Sequence, residues 1–213
     1  DLFSIHHAEA GPGLIYWHPR GSVVRRIIED FWKKKHEEAG YMLVYTPHLV
    51  KVDLWKTSGH YQMKYPMYFT NIDDDEYGVK PMNCPGHILI YKTQTRSYRD
   101  MPMRFSEMGT VYRHEKSGVL HGMLRVRGFT QDDAHVFCRK DQLLDEMLRI
   151  LGLVDYFLGT FGFEYQAYLS TRPEKSVGSD ENWAEATAAL RGALEACKLP
   201  YEEDPGEGVF YGP

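Results

Sequence analysis

The chain has 213 residues, of which 43% are hydrophobic and 26% are charged. This is ordinary globular composition, and it excludes the collagen-like, mucin-like and disordered classes. The formal net charge of -5 excludes a global positive field that would attract nucleic acid, so any contact with RNA or phosphate must come from local clusters. No apolar run approaches the roughly 18 residues that a membrane span needs. Its three cysteines are widely spaced, which favours a reducing, cytoplasmic setting over a disulfide framework.

Both ends of the chain predict that it is a section of a longer protein. It starts at Asp1 without an initiator methionine, and it stops on the aromatic, glycine-rich run of residues 206–213, where a further strand would begin. At about 100 to 200 residues per domain, the length itself permits one large domain or two small ones.

The first half of the chain predicts two helices and a pair of strands around a turn. Apolar residues recur at helical spacing over residues 23–39, with charged residues opposite them, which indicates an amphipathic helix. A short apolar run at residues 42–45 predicts a strand. The polar stretch 71–77 predicts a surface turn between strands, and Pro85 in a first turn predicts a helix over residues 83–92.

The second half predicts a strand pair followed by further helices. Strand-like blocks at residues 103–111 and 123–138 flank a glycine-bounded connector, residues 116–122, so we expect an antiparallel hairpin with a long loop. The elements that follow are a helix over residues 140–161, a strand over 165–169 and a helix over 181–196, which Ser179 and Asp180 would cap. Hairpins and strands interrupted by helices favour the α+β class with an antiparallel sheet over a doubly wound fold.

Polar side chains are dense within the predicted hairpin. Arg113 and Glu115 end its first strand, and residues 125–135 carry arginines, aspartates, a glutamine and a histidine along its second. Side chains alternate across a strand, and Gly128 predicts a bulge that resets this alternation, so every second residue after it should line one face. The residues on that face would be Phe129, Gln131, Asp133 and His135. Such a face is a poor core and suits a binding surface.

The same residues also fit a surface without any site. Arginines and carboxylates on one face of a hairpin commonly pair with each other in solvent, and lone cysteines and histidines most often serve packing. Cys84 and His135 are 51 residues apart, and this spacing matches no local zinc pattern. From the residues alone, a metal site and a packing role both stay open.

Two long strings of residues resemble the catalytic domain of the threonyl-tRNA synthetase family. They are KPMNCPGH from Lys80 and RVRGFTQDDAH from Arg125, supported by RHE from Arg113 and LSTRPEK from Leu169. The resemblance implies the class II synthetase fold, an antiparallel sheet flanked by helices, as one partial catalytic domain over residues 1–213. Motif 1, a dimer interface, would lie at about residues 23–50, and motif 2 at about 103–138. Motif 3 and the anticodon-binding domain are absent from the sequence.

The resemblance assigns the ATP site to the predicted hairpin. Arg113 would clamp the α-phosphate and follow the charge that develops as the adenylate forms, with Arg125 as a second phosphate contact. Glu115 would accept from the adenine amino group, Phe129 would stack on the adenine ring, and Mg would accompany ATP. The motif 2 loop would touch the acceptor end of tRNA, with positive charge from Lys116 and Arg113.

The resemblance also assigns zinc and threonine contacts. Cys84 and His135 correspond to two of the family's three zinc ligands, and the third would lie beyond Pro213. A zinc ion that takes both the amino group and the hydroxyl of threonine would reject valine, which an apolar pocket separates from threonine by only about 100-fold. Asp133 would accept from that hydroxyl. The other predicted threonine contacts are Met82, Gln131 and Tyr211.

The function that the resemblance implies is that of a threonine–tRNA ligase, which activates threonine with ATP and transfers it to tRNA(Thr). His60 would lie near the terminal ribose and assist this transfer. We expect a cytoplasmic homodimer for the full-length protein and no activity for the section alone. Two alternatives stay open: a class II synthetase for another amino acid, such as serine or proline, and a non-catalytic, synthetase-like RNA-binding or regulatory paralogue.

Overall fold

Helices and strands are interspersed along the chain in the computed structural model, which describes residues 1–212. The helices are α1 (Pro19–Glu38), α2 (Val52–Thr57), α3 (Cys84–Tyr91), α4 (Leu143–Phe161) and α5 (Asp180–Ala196). The strands are β1 (Phe3–Ser4), β2 (Tyr16–Trp17), β3 (Met42–Leu43), β4 (Leu49–Lys51), β5 (Tyr68–Ile72), β6 (Asp75–Val79), β7 (Met103–Tyr112), β8 (Gly128–Phe137), β9 (Ala167–Ser170) and β10 (Tyr201–Asp204). The predicted α+β class is confirmed. Within residues 1–212, every helix is too short or too polar to span a membrane.

The chain divides into two units, Asp1–Val136 and Phe137–Pro213. The central sheet of the first unit has the strand order β3-β7-β8. The hydroxyls of Thr110 in β7 and Thr130 in β8 lie 2.9 Å apart, and next to these strands the amide of Arg113 donates to the carbonyl of Arg127 at 2.8 Å. From the first contact to the second, residue numbers rise from 110 to 113 on one side and fall from 130 to 127 on the other. The two strands are therefore antiparallel, which confirms the predicted hairpin. β3 pairs with β7 in parallel, which the sequence did not indicate.

Gly128 begins β8 where other groups crowd its backbone. A Cβ at this position would lie 3.1 Å from the ring of Tyr112 and 3.2 Å from Leu14. The prediction that this strand starts at residue 123 is wrong, because Arg125 forms a separate bridge with His121, so that the connector extends beyond residue 122.

A second antiparallel sheet in the first unit has the order β4-β6-β5. Its β5-β6 ladder extends to Ile72 opposite Asp75, which leaves only Asp73 and Asp74 as the turn. The predicted turn over residues 71–77 is therefore too long, because the polar residues at its ends pair in the ladder. The buried residues packed beside this sheet are Val52, Trp55, Met67 and Met82.

Helix α1 confirms the predicted amphipathic helix but leaves its apolar stripe exposed. It starts at Pro19, a residue suited to a first helical position. The face toward the sheet buries Trp32 and His36, and Arg25 Nη2 donates to Thr130 Oγ1 in β8 at 2.7 Å. The stripe consists of Val23, Val24, Ile27 and Ile28, which are 42% to 60% exposed. These residues are thus no part of the core of this chain.

The second unit packs α4 against α5 and pairs β9 with β10 in parallel. Helix α4 ends at Gly162 in the left-handed conformation, with φ 72°. Ser179 caps α5 by accepting from the amide of Asn182 at 3.2 Å, as the sequence predicts. Strand β10 was not predicted, because its residues, YEED, are mostly charged.

Candidate active site

One face of β8 carries the predicted polar residues and meets the start of α3. Asn83, just before α3, donates through Nδ2 to Asp133 Oδ2 at 3.0 Å and to Gln131 Oε1 at 3.4 Å. His87 in α3 contacts His135, and the Nδ1 atoms of the two rings lie 2.9 Å apart. The alternation predicted along β8 therefore matches these contacts, and α3 is the element that covers this face.

Cys84 forms a candidate metal cluster with two side chains of this face of β8. Cys84, Asp133 and His135 offer a sulfur, an oxygen and a nitrogen atom, all within 4.8 Å of one another. Cys84 begins α3, whereas Asp133 and His135 are two residues apart in β8 and therefore share a face. Thiolate, imidazole and carboxylate are the donors that zinc takes in proteins, so this donor set fits zinc. The sequence assigned only Cys84 and His135 to the metal.

His135 lies between Asp133 and His87. Its Nδ1 is 2.9 Å from His87 but 3.7 Å from Asp133 Oδ1, which is beyond hydrogen-bond distance. Burial lowers the pKa of His135, the charge of Asp133 opposes this, and His87 adds to the lowering. The net effect favours a neutral imidazole, which is the form that binds metals.

Behind His87 lies a buried network of charged groups. Glu107 Oε2 is 2.9 Å from His87 Nε2, and Glu107 Oε1 accepts from Lys80 Nζ at 3.1 Å. The amide and hydroxyl of Thr46 also donate to this carboxylate. Burial raises the pKa of Glu107, but the hydrogen bonds from His87, Thr46 and Lys80 outweigh it and lower this pKa to about 2. Glu107 is therefore a carboxylate at neutral pH.

Arg113 is held between two aromatic rings just after β7. Its guanidinium carbon lies 5.1 Å from the centre of the Phe129 ring and 5.6 Å from that of Tyr65. Its Nε donates to the carbonyl of Pro81 at 3.2 Å. Cation–π contacts and this hydrogen bond fix the guanidinium plane, as recognition of a phosphate requires.

An open cavity of about 960 Å³ adjoins Arg113. Roughly 300 to 1,000 Å³ is the usual size of a small-molecule site. The predicted ATP residues on its wall are Arg113, Glu115, Arg125 and Phe129. Glu115 Oε2 accepts from Arg125 Nη2 at 3.1 Å, and the Glu115 carbonyl accepts from Arg127 Nε at 3.0 Å. The structure thus brings all four predicted ATP residues to one cavity.

His60 is buried beside Tyr65, one of the two rings that hold Arg113. Its Nδ1 lies 2.8 Å from Ser58 Oγ, and its ring packs edge-on against Tyr65, with 5.6 Å between the ring centres. Burial lowers the pKa of His60. Because Tyr65 also contacts Arg113, a single ring separates His60 from the predicted ATP residues.

All four predicted threonine contacts stay predictions, Met82 and Tyr211 among them. Met82 is 8% exposed and packs with Trp55 and Met67 in the core of the first unit. Tyr211 belongs to the second unit, where its ring packs edge-on against Phe210 at 4.8 Å between centres.

The sequence interpretation missed three residues of the buried network. His87 follows Cys84 by three residues on a predicted helix, and this spacing placed both on one helix face, which is a usable signal. Lys80 and Glu107 gave no such signal, because the burial of a charged pair depends on which strands pack together.

This fold and this site define the core of a class II aminoacyl-tRNA synthetase. Residues 65–207 match the family described as tRNA synthetase class II core domain (G, H, P, S and T), and the chain belongs to this family.

Proteins named threonine–tRNA ligase are similar to the chain along its whole length. The protein of Oleidesulfovibrio alaskensis is 57% identical over 214 residues, and that of Acidithiobacillus ferrooxidans is 60% identical over 216 residues. Each alignment covers 100% of this chain and 33% of the relative, so the chain spans about a third of the length of these curated relatives. A crystal structure described as the RNA binding domain of threonyl-tRNA synthetase from Cryptosporidium parvum Iowa II has a TM-score of 0.92 and 39% identity, covering 100% of this chain and 53% of that chain.

Proposed function

We propose that the chain is part of the catalytic domain of a threonine–tRNA ligase, which forms threonyl-adenylate from threonine and ATP and transfers threonine to tRNA(Thr). The observation that carries this proposal is the cluster that Cys84, at the start of α3, forms with Asp133 and His135 of β8, the strand that also bears Phe129. Similarity to threonine–tRNA ligases supports it. Motif 1 would occupy about residues 23–50 and motif 2 about 103–138.

The residues around the cavity would bind ATP with its Mg ion. Arg113, fixed between two rings, would hold the α-phosphate and stabilise the negative charge that develops when the threonine carboxylate attacks it. Arg125 would contact a second phosphate group. Phe129 would stack on adenine, and Glu115, whose Oε2 bonds Arg125, would accept from the adenine amino group through Oε1.

The cluster on β8 would select threonine. Cys84 and His135 would hold zinc, which when bound supplies a Lewis acid for the amino group and hydroxyl of the substrate. Asp133 would accept from that hydroxyl, and the 3.0 Å hydrogen bond from Asn83 orients its carboxylate for this role. Valine carries a methyl group in place of the hydroxyl, so it would leave Asp133 without its partner. The remaining proposed contacts are Met82, Gln131 and Tyr211.

The loop after β7 would contact the acceptor end of tRNA through Lys116, with Arg113 adding positive charge. His60 would lie near the terminal ribose. Because burial lowers the pKa of His60, its imidazole is favoured in the neutral form and could accept a proton from the ribose hydroxyl during transfer.

A second copy of the protein would cover the exposed apolar stripe of α1. Exposed apolar patches on a helix commonly mark protein interfaces, and this stripe lies inside the proposed motif 1. We therefore propose a homodimer that acts in the cytoplasm.

Threonine-dependent exchange of pyrophosphate into ATP tests the function, with protein expressed from its complete coding sequence. We expect exchange with threonine and its loss in Cys84→Ala, whereas Cys197→Ala, at an exposed cysteine of the second unit, keeps wild-type exchange. Undiminished exchange in Cys84→Ala would contradict the zinc role. Exchange driven by serine or proline would point to a class II synthetase for that amino acid. Binding of tRNA without adenylate formation would point to a non-catalytic paralogue.

A further inference from the structure

His87 connects the candidate metal cluster to the buried carboxylate Glu107. Its side chain is 0% exposed. Its Nε2 lies 2.9 Å from Glu107 Oε2, and its Nδ1 lies 2.9 Å from His135 Nδ1. Both ring nitrogens are therefore used, one toward the charged network and one toward a candidate ligand.

The hydrogen bond between Glu107 and His87 determines which His87 nitrogen carries the hydrogen. Glu107 is paired with Lys80 at 3.1 Å and also accepts two hydrogen bonds from Thr46, so it is a carboxylate and can only accept. His87 Nε2 must therefore carry a hydrogen. Because Lys80 already balances the charge of Glu107, a second buried positive charge on His87 would be unpaired and costly. In its neutral form, His87 then has a lone pair on Nδ1.

The position of the hydrogen on His135 follows from the same assignment of donors and acceptors. Two nitrogens 2.9 Å apart need one hydrogen between them, and with a lone pair on His87 Nδ1 that hydrogen belongs to His135 Nδ1. A neutral imidazole protonated at Nδ1 has its lone pair on Nε2, where it can bind a metal. Asp133 does not fix this tautomer, because its Oδ1 is 3.7 Å from His135 Nδ1 and its Oδ2 accepts from Asn83.

We propose that His87, oriented by Glu107, is a positioning residue that holds His135 in the tautomer whose Nε2 binds zinc. This inference rests on the proposed function only in that zinc occupies the Cys84 and His135 site. Groups that hydrogen-bond the second nitrogen of a metal-binding histidine typically change metal affinity by about 10- to 100-fold when they are removed.

Zinc affinity, measured by competition with a chromophoric chelator on protein expressed from the complete coding sequence, tests this role. His87→Phe preserves ring volume but removes both hydrogen bonds, so we expect zinc affinity to fall by about 10- to 100-fold. In His87→Gln an amide can donate to Glu107 and accept from His135, so affinity should stay within a few-fold of wild type. His36→Phe makes the same change at another buried histidine of the first unit and should leave zinc affinity unchanged.

A second variant changes the tautomer of His135 without altering any residue of the candidate metal cluster. In Glu107→Gln an amide can donate to His87, which moves the His87 hydrogen to Nδ1 and forces His135 Nδ1 to accept, so zinc affinity should again fall. Cobalt(II) substitution checks the site directly, since the thiolate-to-cobalt absorption band of wild type should weaken in His87→Phe and Glu107→Gln at equal metal concentration.

The outcomes separate the two proposals. Wild-type zinc affinity in folded His87→Phe or folded Glu107→Gln overturns the positioning role. Zinc binding that depends on Cys84 and His87 but is accompanied by no threonine activation refutes the proposed function and supports this inference. A wild-type protein that binds no zinc overturns this inference and the zinc part of the proposed function together.

Discussion

Lys80 and Glu107 form an ion pair that is almost completely withdrawn from solvent. Their Nζ and Oε1 atoms are 3.1 Å apart, and the two side chains are 2% and 3% exposed. Removing one partner of such a pair leaves a buried charge without compensation, which is strongly destabilising. The pair therefore links the stability of the first unit to the geometry of the candidate site, because the same carboxylate contacts His87.

The stability of the protein should fall in acid because of Glu107. Its pKa is lowered from 4.5 to about 2 in the folded state, so its contribution is present above pH 4.5 and is lost as pH falls toward 2. At about 1.4 kcal/mol per pKa unit, this group should remove on the order of 3 kcal/mol from the free energy of unfolding across that range. Urea denaturation at several pH values measures it.

Glu107→Gln should be less stable at neutral pH and should lose this part of the acid dependence. The same change at the exposed Glu76 serves as the control and should keep the wild-type pH dependence. An acid dependence in Glu107→Gln equal to that of wild type would show that other groups cause it.

Gly109 should not tolerate a side chain. A Cβ there would lie 2.2 Å from Asn83 Nδ2, and Asn83 is 1% exposed and cannot move aside. Gly109→Ala should therefore lower the free energy of unfolding by about 1 to 3 kcal/mol, as overpacking does. For the proposed substrate threonine, it should also raise KM, because displacement of Asn83 disturbs its bond to Asp133.

Gly118→Ala is the matched control, since a Cβ at that position meets nothing within 4 Å. Its denaturation midpoint should equal that of wild type. Equal midpoints for Gly109→Ala and Gly118→Ala would mean that Asn83 is less firmly held than its burial indicates.

If the proposed reaction holds, Arg113→Lys should slow adenylate formation while leaving the fold intact. Lysine keeps the charge but loses the planar group that stacks on Phe129 and Tyr65. Loss of one oriented contact to a developing charge typically costs on the order of 100-fold in kcat, which pyrophosphate exchange measures. Arg99→Lys, which also alters an arginine over a tyrosine ring, should retain full activity. A normal kcat in Arg113→Lys would remove Arg113 from the phosphate site.

Ile27→Glu should dissociate the proposed dimer. Ile27 is 60% exposed in the middle of the apolar stripe of α1, and a second copy would have to bury the new charge. Light scattering on protein expressed from the complete coding sequence should show the mass of a monomer. Ser22→Glu adds the same side chain to the same helix on a different face and should remain dimeric. A dimer in Ile27→Glu would show that the dimer interface does not include the apolar stripe of α1.

The sequence alone determined the elements whose signals are local. Helical spacing predicted α1 and α4, Ser179 predicted the start of α5, and alternation along β8 grouped Asp133 with His135, because these patterns depend only on neighbours in the chain. The resemblance of the motif strings to a synthetase family implied roles for Cys84 and Arg113.

Tertiary structure decided what depends on residues far apart in sequence. Only packing of α3 on β8 brings Cys84 within 4.8 Å of Asp133 and His135, and only the folded sheets bury Lys80 beside Glu107. The apolar stripe of α1 is a second feature that the sequence could not decide. Its periodicity predicted a helix, but whether that stripe meets the core or solvent depends on which face the sheet covers, and the sheet covers the face of Trp32 and His36.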